Sequence, residues 1–126
     1  MTQKTVGVAL TGHTDEVYAV KFSPDSQLIA TGSADSTIRL WDVATHKQIG
    51  QPLVGHSDIV KALDFTPDGS MLISGSQDKS VILWDMIQKL PIGKPLLGHT
   101  NYINALSISP DGSSIITGGE DFQLIR

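Results

Sequence analysis

A histidine, a hydroxyl and a carboxylate recur together along this chain, and the three groups together could do chemistry. His13, Thr31 and Asp35 form one set, His56, Ser74 and Asp78 a second, and His99, Thr117 and Asp121 a third. Gathered once, such groups are the parts of a hydrolase triad, in which the imidazole takes a proton from the hydroxyl and the carboxylate orients the imidazole. The spacing points elsewhere. Every member recurs at a step of 43 residues, whereas a catalytic centre is normally built once. The three histidines also raise the question of a metal, but each occupies the same place in a different unit, so they should lie far apart. His46 falls in a predicted exposed loop and has no partner signal. No phosphate-cradling glycine loop or helical metalloprotease motif is present.

The elements that must position these residues follow the same period. Gly12-His13, Gly55-His56 and Gly98-His99 keep the 43-residue step, as do Trp41-Asp42 and Trp84-Asp85. About 18 of the 43 positions from Gly12 are identical in the next unit. Within each unit the signals are β. "VYAVKF", "IVKALDF" and "INALSI" are short runs rich in β-branched and apolar residues, each followed by a Pro-Asp turn in which Pro presets φ and Asp can bond the backbone beyond it. "QLIATGS", "SMLISGS" and "SSIITGG" come next, then "STIRLWD" or "KSVILWD", then "KQIGQPLV" or "LPIGKPLL". That makes four short strands per unit with turn signals about every ten residues, and no helical period. Pro52 and Pro95 fall in the fourth run, and proline tolerates a sheet edge better than its centre, so that run is expected outermost.

Composition narrows the class. The chain has 126 residues, 40% hydrophobic and 17% charged, which suits a folded domain and not a disordered one. The net charge of −4 and the scatter of nine basic residues argue against nucleic acid, whose binding surfaces need clustered Lys and Arg. Without cysteine there is no disulfide, thiolate nucleophile or Cys-ligated zinc. "MTQKTVGVAL" lacks a signal-peptide apolar region, and no stretch has the length of a membrane span. A cytoplasmic protein is expected, with the nucleus as an alternative.

With Gly-His near the start of each unit, Asp after the second strand and Trp-Asp closing the third, the chain resembles the WD-repeat β-propellers. The stretches "IGQPLVGHSDIV" and "IGKPLLGHTNYI" look most like the repetitive propellers beside NACHT-type NTPase domains in fungal and bacterial receptors. The resemblance implies an all-β fold of four-stranded antiparallel blades, forming an open arc or part of a larger ring. It implies repeats over 12–54, 55–97 and 98–126, the last incomplete, with 1–11 as a fourth strand of a preceding or closing blade. It also implies a structural network in each blade: His13, Thr31, Asp35 and Trp41; His56, Ser74, Asp78 and Trp84; His99, Thr117 and Asp121, with no third Trp. A buried indole N–H needs an acceptor, and a hydroxyl can accept from it while donating to an imidazole.

By the same resemblance the activity is binding, not catalysis, with no cofactor and no metal. Partners of the family often meet the top face. The corresponding positions here are Glu16, Tyr18 and Ala34; Ile59, Lys61 and Gln77; and Tyr102, Asn104 and Glu120. They differ between units where the scaffold repeats, and their mixed polarity suits a protein or peptide. Tyr18 and Tyr102 could instead pack against neighbouring blades. Phe22, Phe65, Leu40, Leu83, Ile29, Leu72, Ile38 and Val81 are expected between blades, Arg39 in solvent, and Phe122 breaks the pattern. A channel-sited enzyme would need a non-repeating polar cluster on the innermost strand, where Lys21 and Asp64 suggest an ion pair beside Ser107.

"KTVGVALTGH" aligns without a gap on "KQIGQPLVGH", so the chain opens on a fourth strand and closes before one. Propellers hold roughly four to eight blades. The chain is therefore expected to be a fragment of a longer ring. Alternatively it is a self-assembling structural repeat, and as a homo-oligomer two chains of three units would close six blades. An open arc should expose apolar faces on its first and last blades.

Overall fold

A computed structural model describes residues 10–98, 101–119 and, for the backbone, 124–125. Strands β1 (Val17–Phe22), β2 (Leu28–Ser33), β3 (Thr37–Asp42) and β4 (Leu53–Val54) form one antiparallel sheet in that order. The second sheet orders β5 (Val60–Phe65), β6 (Met71–Ser76) and β7 (Ser80–Asp85), with β8 (Leu90–Pro91) and β9 (Leu96–Leu97) both paired to β7. The third runs β10 (Ile103–Ile108), β11 (Ile115–Gly119), β12 (Leu124–Ile125). The described residues contain no helix, and so none that could cross a membrane.

The Pro-Asp turns between first and second strands are built alike. The Ser26 N–H donates to the Ser23 carbonyl at 2.9 Å, while the Asp25 carboxylate accepts from the Ser23 hydroxyl and the Gln27 N–H at 2.6 and 3.0 Å. Asp68 and Asp111 do the same in their turns. The turn ends in the left-handed region, at φ 61° for Ser26, 73° for Gly69 and 75° for Gly112. Two units place glycine there, where a missing Cβ removes the steric cost, and the first places serine.

The outermost strand is less regular than the sequence pattern suggests. In the first sheet Trp41 bridges to Gln48, and β4 then pairs Leu53 with Ile38. In the second, Pro91 faces Trp84 and Leu96 faces Val81. Between these paired pieces the chain turns at Gly50 and Gly93, both at positive φ. Pro52 and Pro95 therefore stand just before β4 and β9, outside the paired residues, as befits residues with no N–H for a ladder.

The core lies between blades. Ala30, Ile38, Leu40 and Leu53 of the first sheet pack with Val60, Leu63, Phe65, Leu72 and Trp84 of the second. A smaller cluster joins Ile73 and Val81 to Ile103, with Leu106, Ile108 and Ile115 against it. Of the expected core, Phe65, Leu40, Leu72, Ile38 and Val81 are buried, and Ile29 and Leu83 half-buried. Phe22 is not core: it is 58% exposed. Its counterpart Phe65 is covered by the preceding sheet, and among the described residues no sheet lies on that side of β1. Val17 and Val20 are exposed for the same reason, and Ile116 is exposed on the third sheet.

Candidate functional site

The structure brings the repeated His, hydroxyl, Asp and Trp together within each of the first two blades. His13 approaches Asp35 through Nδ1 at 2.9 Å and Thr31 Oγ1 through Nε2 at 2.6 Å, and the Trp41 indole N–H donates to the same Thr31 oxygen at 2.9 Å. His56 repeats this with Asp78 at 2.7 Å and Ser74 at 2.7 Å, and Trp84 donates to Ser74 at 2.8 Å. Thr117 is buried in β11. His99, Asp121, Glu120 and Phe122 lie outside the described residues.

Burial pushes the His56 imidazole below its ordinary value, against the pull of Asp78. A neutral ring then donates from Nδ1 to the carboxylate and accepts at Nε2 from the Ser74 hydroxyl. Burial also works against ionising Asp35 and Asp78. Hydrogen bonds outweigh it: from Thr37 and His13 to Asp35, and from Ser80 and His56 to Asp78, so both carboxyls sit below the usual range. The hydroxyls at the centre are spent. Thr31 and Ser74 each already accept from an indole and are buried, so neither meets a substrate as a nucleophile. Among the described residues no cluster of three or more His, Cys, Asp or Glu is placed to hold a metal.

Two further pairs of residues belong to this network and escaped the sequence reading. Thr37 and Ser80 donate their hydroxyls to Asp35 and Asp78, both at 2.6 Å. Ser33 and Ser76, wholly buried, tie the network to the strand before it. Ser33 donates to the Glu16 carbonyl at 2.8 Å and accepts from the Asp35 N–H at 3.1 Å, and Ser76 donates to the Asp58 carbonyl at 3.2 Å and accepts from the Asp78 N–H. Identity of Ser33 and Ser76 at the 43-residue step was the available signal.

The candidate contact positions sit at the edge this network braces. In every blade the pairing of first and second strands slips by one residue: between Val17 and Ala19, Val60 and Ala62, and Ile103 and Ala105. The extra residues are Tyr18, Lys61 and Asn104. A bulge leaves one residue unopposed and re-aims it. Beside the first two bulges the ladder continues: the Ala34 N–H donates to the Glu16 carbonyl, and the Gln77 N–H to the Ile59 carbonyl. Glu16, Tyr18, Tyr102 and Asn104 are exposed, and Ala34, Ile59, Lys61 and Gln77 half-exposed. The Tyr18 hydroxyl donates to Glu16 at 3.0 Å, and Lys61 of the next blade places its ammonium 4.4 Å from the Tyr18 ring centroid. That contact is a cation–π pair, worth about 0.5–1 kcal/mol at an exposed site.

Two expectations need correcting. Lys21 and Asp64 form no ion pair. The Asp64 carboxylate instead accepts from the Phe65 N–H at 3.0 Å and from the Ile108 N–H of the next blade at 3.1 Å, which spends it on joining inner strands. Arg39 is half-buried rather than solvated. It donates to Gln48 at 2.8 Å and crowds the backbone at Gly12.

Four-stranded antiparallel blades, joined by their inner strands and braced by His-hydroxyl-Asp-Trp networks, define a β-propeller segment. The WD domain, G-beta repeat family model matches residues 3–42, 47–85 and 91–125, and the chain belongs to that family. Among curated relatives, "Protein Mut11" of Chlamydomonas reinhardtii is 68% identical over 37 residues, covering 29% of this chain and 10% of that protein. "Eukaryotic translation initiation factor 3 subunit I" of Aspergillus niger is 53% identical over 34 residues, 27% of this chain and 10% of that protein. "Notchless protein homolog" of Arabidopsis thaliana is 50% identical over 36 residues, 29% of this chain and 8% of that protein. Each match thus spans a tenth or less of the relative's length. WD repeats generally serve as protein-interaction scaffolds and not as enzymes. The finer likeness to NACHT-associated propellers draws no support from these relatives.

Proposed function

We propose that this chain is a non-catalytic interaction module that binds a protein or peptide through the edge where its inner strands bulge. One observation carries the reading: a single unopposed residue per blade, Tyr18, Lys61 or Asn104, differs in chemistry over a frame that repeats. The exposed Tyr suits a protein partner, since Tyr is among the residues that dominate such contacts. The net charge of −4 disfavours nucleic acid. A cytoplasmic or nuclear setting fits the absence of cysteine. Peptides selected on the chain should lose affinity for the Tyr18→Ala and Lys61→Ala variants, while each variant loses no more stability in urea than the roughly 0.5–1 kcal/mol of the Tyr18–Lys61 pair. Peptides indifferent to positions 18, 61 and 104 would refute the proposed surface.

A second reading has its own support. Val17, Val20 and Phe22 form an exposed apolar strip on β1, of the kind that marks an association face. A discrete folded dimer in solution would favour ring closure between copies, and a folded monomer would exclude it.

A further inference from the structure

Beside the bulges, the three inner strands enclose a shallow cleft of about 260 Å³, lined by Tyr18, Val20 and Lys21 of β1, Lys61 and Leu63 of β5, and Leu106 of β10. Its volume is below the ~300–1,000 Å³ of small-molecule pockets; it is suited to side chains of an extended peptide. Its lining residues include two cations and no carboxylate. The strands β1, β5 and β10 carry two cations, Lys21 and Lys61, and a single carboxylate, Asp64. Asp64 does not line the cleft, and its oxygens accept from the Phe65 and Ile108 N–H groups. Glu16, just before β1, accepts from the Tyr18 hydroxyl. Neither lysine has an ion-pair partner among the described residues, where the pairs are His13–Asp35 and His56–Asp78. Two ammonium groups without a carboxylate partner, one of them over the Tyr18 ring, thus line the cleft, on a chain whose overall charge is negative.

We infer that this cleft selects acidic peptides, taking an aspartate or glutamate side chain between Lys21 and Lys61 and an apolar neighbour against Val20 and Leu106. The inference rests on the interaction reading above and names the class of partner. Complementary charge of this kind sets specificity and on-rate more than raw affinity.

A random peptide library displayed on phage tests it, panned on the intact chain and on the Lys21→Gln, Lys61→Gln double variant. Binders enriched in aspartate and glutamate are expected. They should bind the double variant about tenfold or more weakly and weaken with salt, while Lys47→Gln, exposed and outside the cleft, leaves them unaffected. Neutral or basic binders that still require Tyr18 would overturn the acidic selectivity and leave the interaction reading standing. Acidic binders indifferent to the double variant would also overturn it. Displacement of the binders by inorganic phosphate alone would show an anion site in place of a peptide site. A panning that enriches nothing would remove both readings.

Discussion

Val60 occupies the space where a side chain on Gly32 would begin: a Cβ at that glycine would lie 2.6 Å from Val60 Cγ1. Ile103 stands to Gly75 in the same way, at 2.7 Å. Each joint between blades is a β-branched residue at the head of one inner strand seated on a bare backbone in the blade before it. Gly32→Ala should therefore cost about 1–3 kcal/mol, as overpacking does. Combined with Val60→Ala it should cost less than the two changes summed, because the second relieves the clash of the first. Urea denaturation of the four proteins measures the coupling, and strict additivity would contradict the joint.

The hydroxyl under each tryptophan has two partners, and its removal strands both. Ser74→Ala leaves the Trp84 indole N–H and His56 Nε2 unpaired in a buried site, at a cost of about 1–3 kcal/mol or more. Ser74→Thr should recover most of that loss, since Thr31 fills the same role in the first blade. Equal losses for the two variants would mean that packing, and not the hydroxyl, decides.

Acid should loosen the fold in two stages. The His56 imidazole, lowered from 6.5 by burial, stabilises the folded chain above its unfolded value and less as pH falls through its folded one. Asp35 and Asp78, lowered from 3.8, contribute stability above that value and lose it as pH falls through their folded values. In both cases the unfolded chain binds more protons, so stability rises with pH. The urea midpoint should be level above about pH 7, fall first between the two histidine values and then again below the ordinary aspartate range. His56→Gln should remove the first stage and keep the second. A wild-type midpoint with no first stage would contradict the neutral, buried histidine.

Ser26 has the left-handed backbone that Gly69 and Gly112 adopt at the same place. A Cβ there costs about 1–2 kcal/mol, against the roughly 0.4–1 kcal/mol of unfolded-chain entropy that glycine adds. Ser26→Gly should therefore raise stability, by up to about 1 kcal/mol. Thermal denaturation decides, and a lowered midpoint would show that the serine has a compensating role.

Strand order and turns were legible because the 43-residue step repeats turn chemistry that is local, while the outermost strand of the second unit came as two pieces, β8 and β9. Pro-Asp followed by Gly or Ser states its own geometry, and Asp25, Asp68 and Asp111 fold their turns from within four residues. The His-hydroxyl-Asp-Trp sets were legible for a different reason: the resemblance to the WD-repeat propellers implied them, and the need of a buried indole and imidazole for partners supported the assignment. What stayed hidden depends on neighbours. Phe22 and Phe65 read alike in sequence, and differ because one has a sheet against it. Asp64 looks like a partner for Lys21 until the Ile108 N–H, 44 residues on, takes its oxygen. The bulges left no residue signature, since Tyr18, Lys61 and Asn104 share no chemistry and are alike only in being passed over by the strand register.

That last property bears on how such a chain can change. A residue passed over by the register can be replaced without disturbing a register pair, so variation at positions 18, 61 and 104 leaves the strand ladder intact. Each added unit contributes one more such position, and the combinations multiply while the scaffold stays the same. Duplication of a 43-residue unit followed by drift at the bulge is then a short evolutionary route to a changed surface on an unchanged frame. The same three positions are where a designed library would begin.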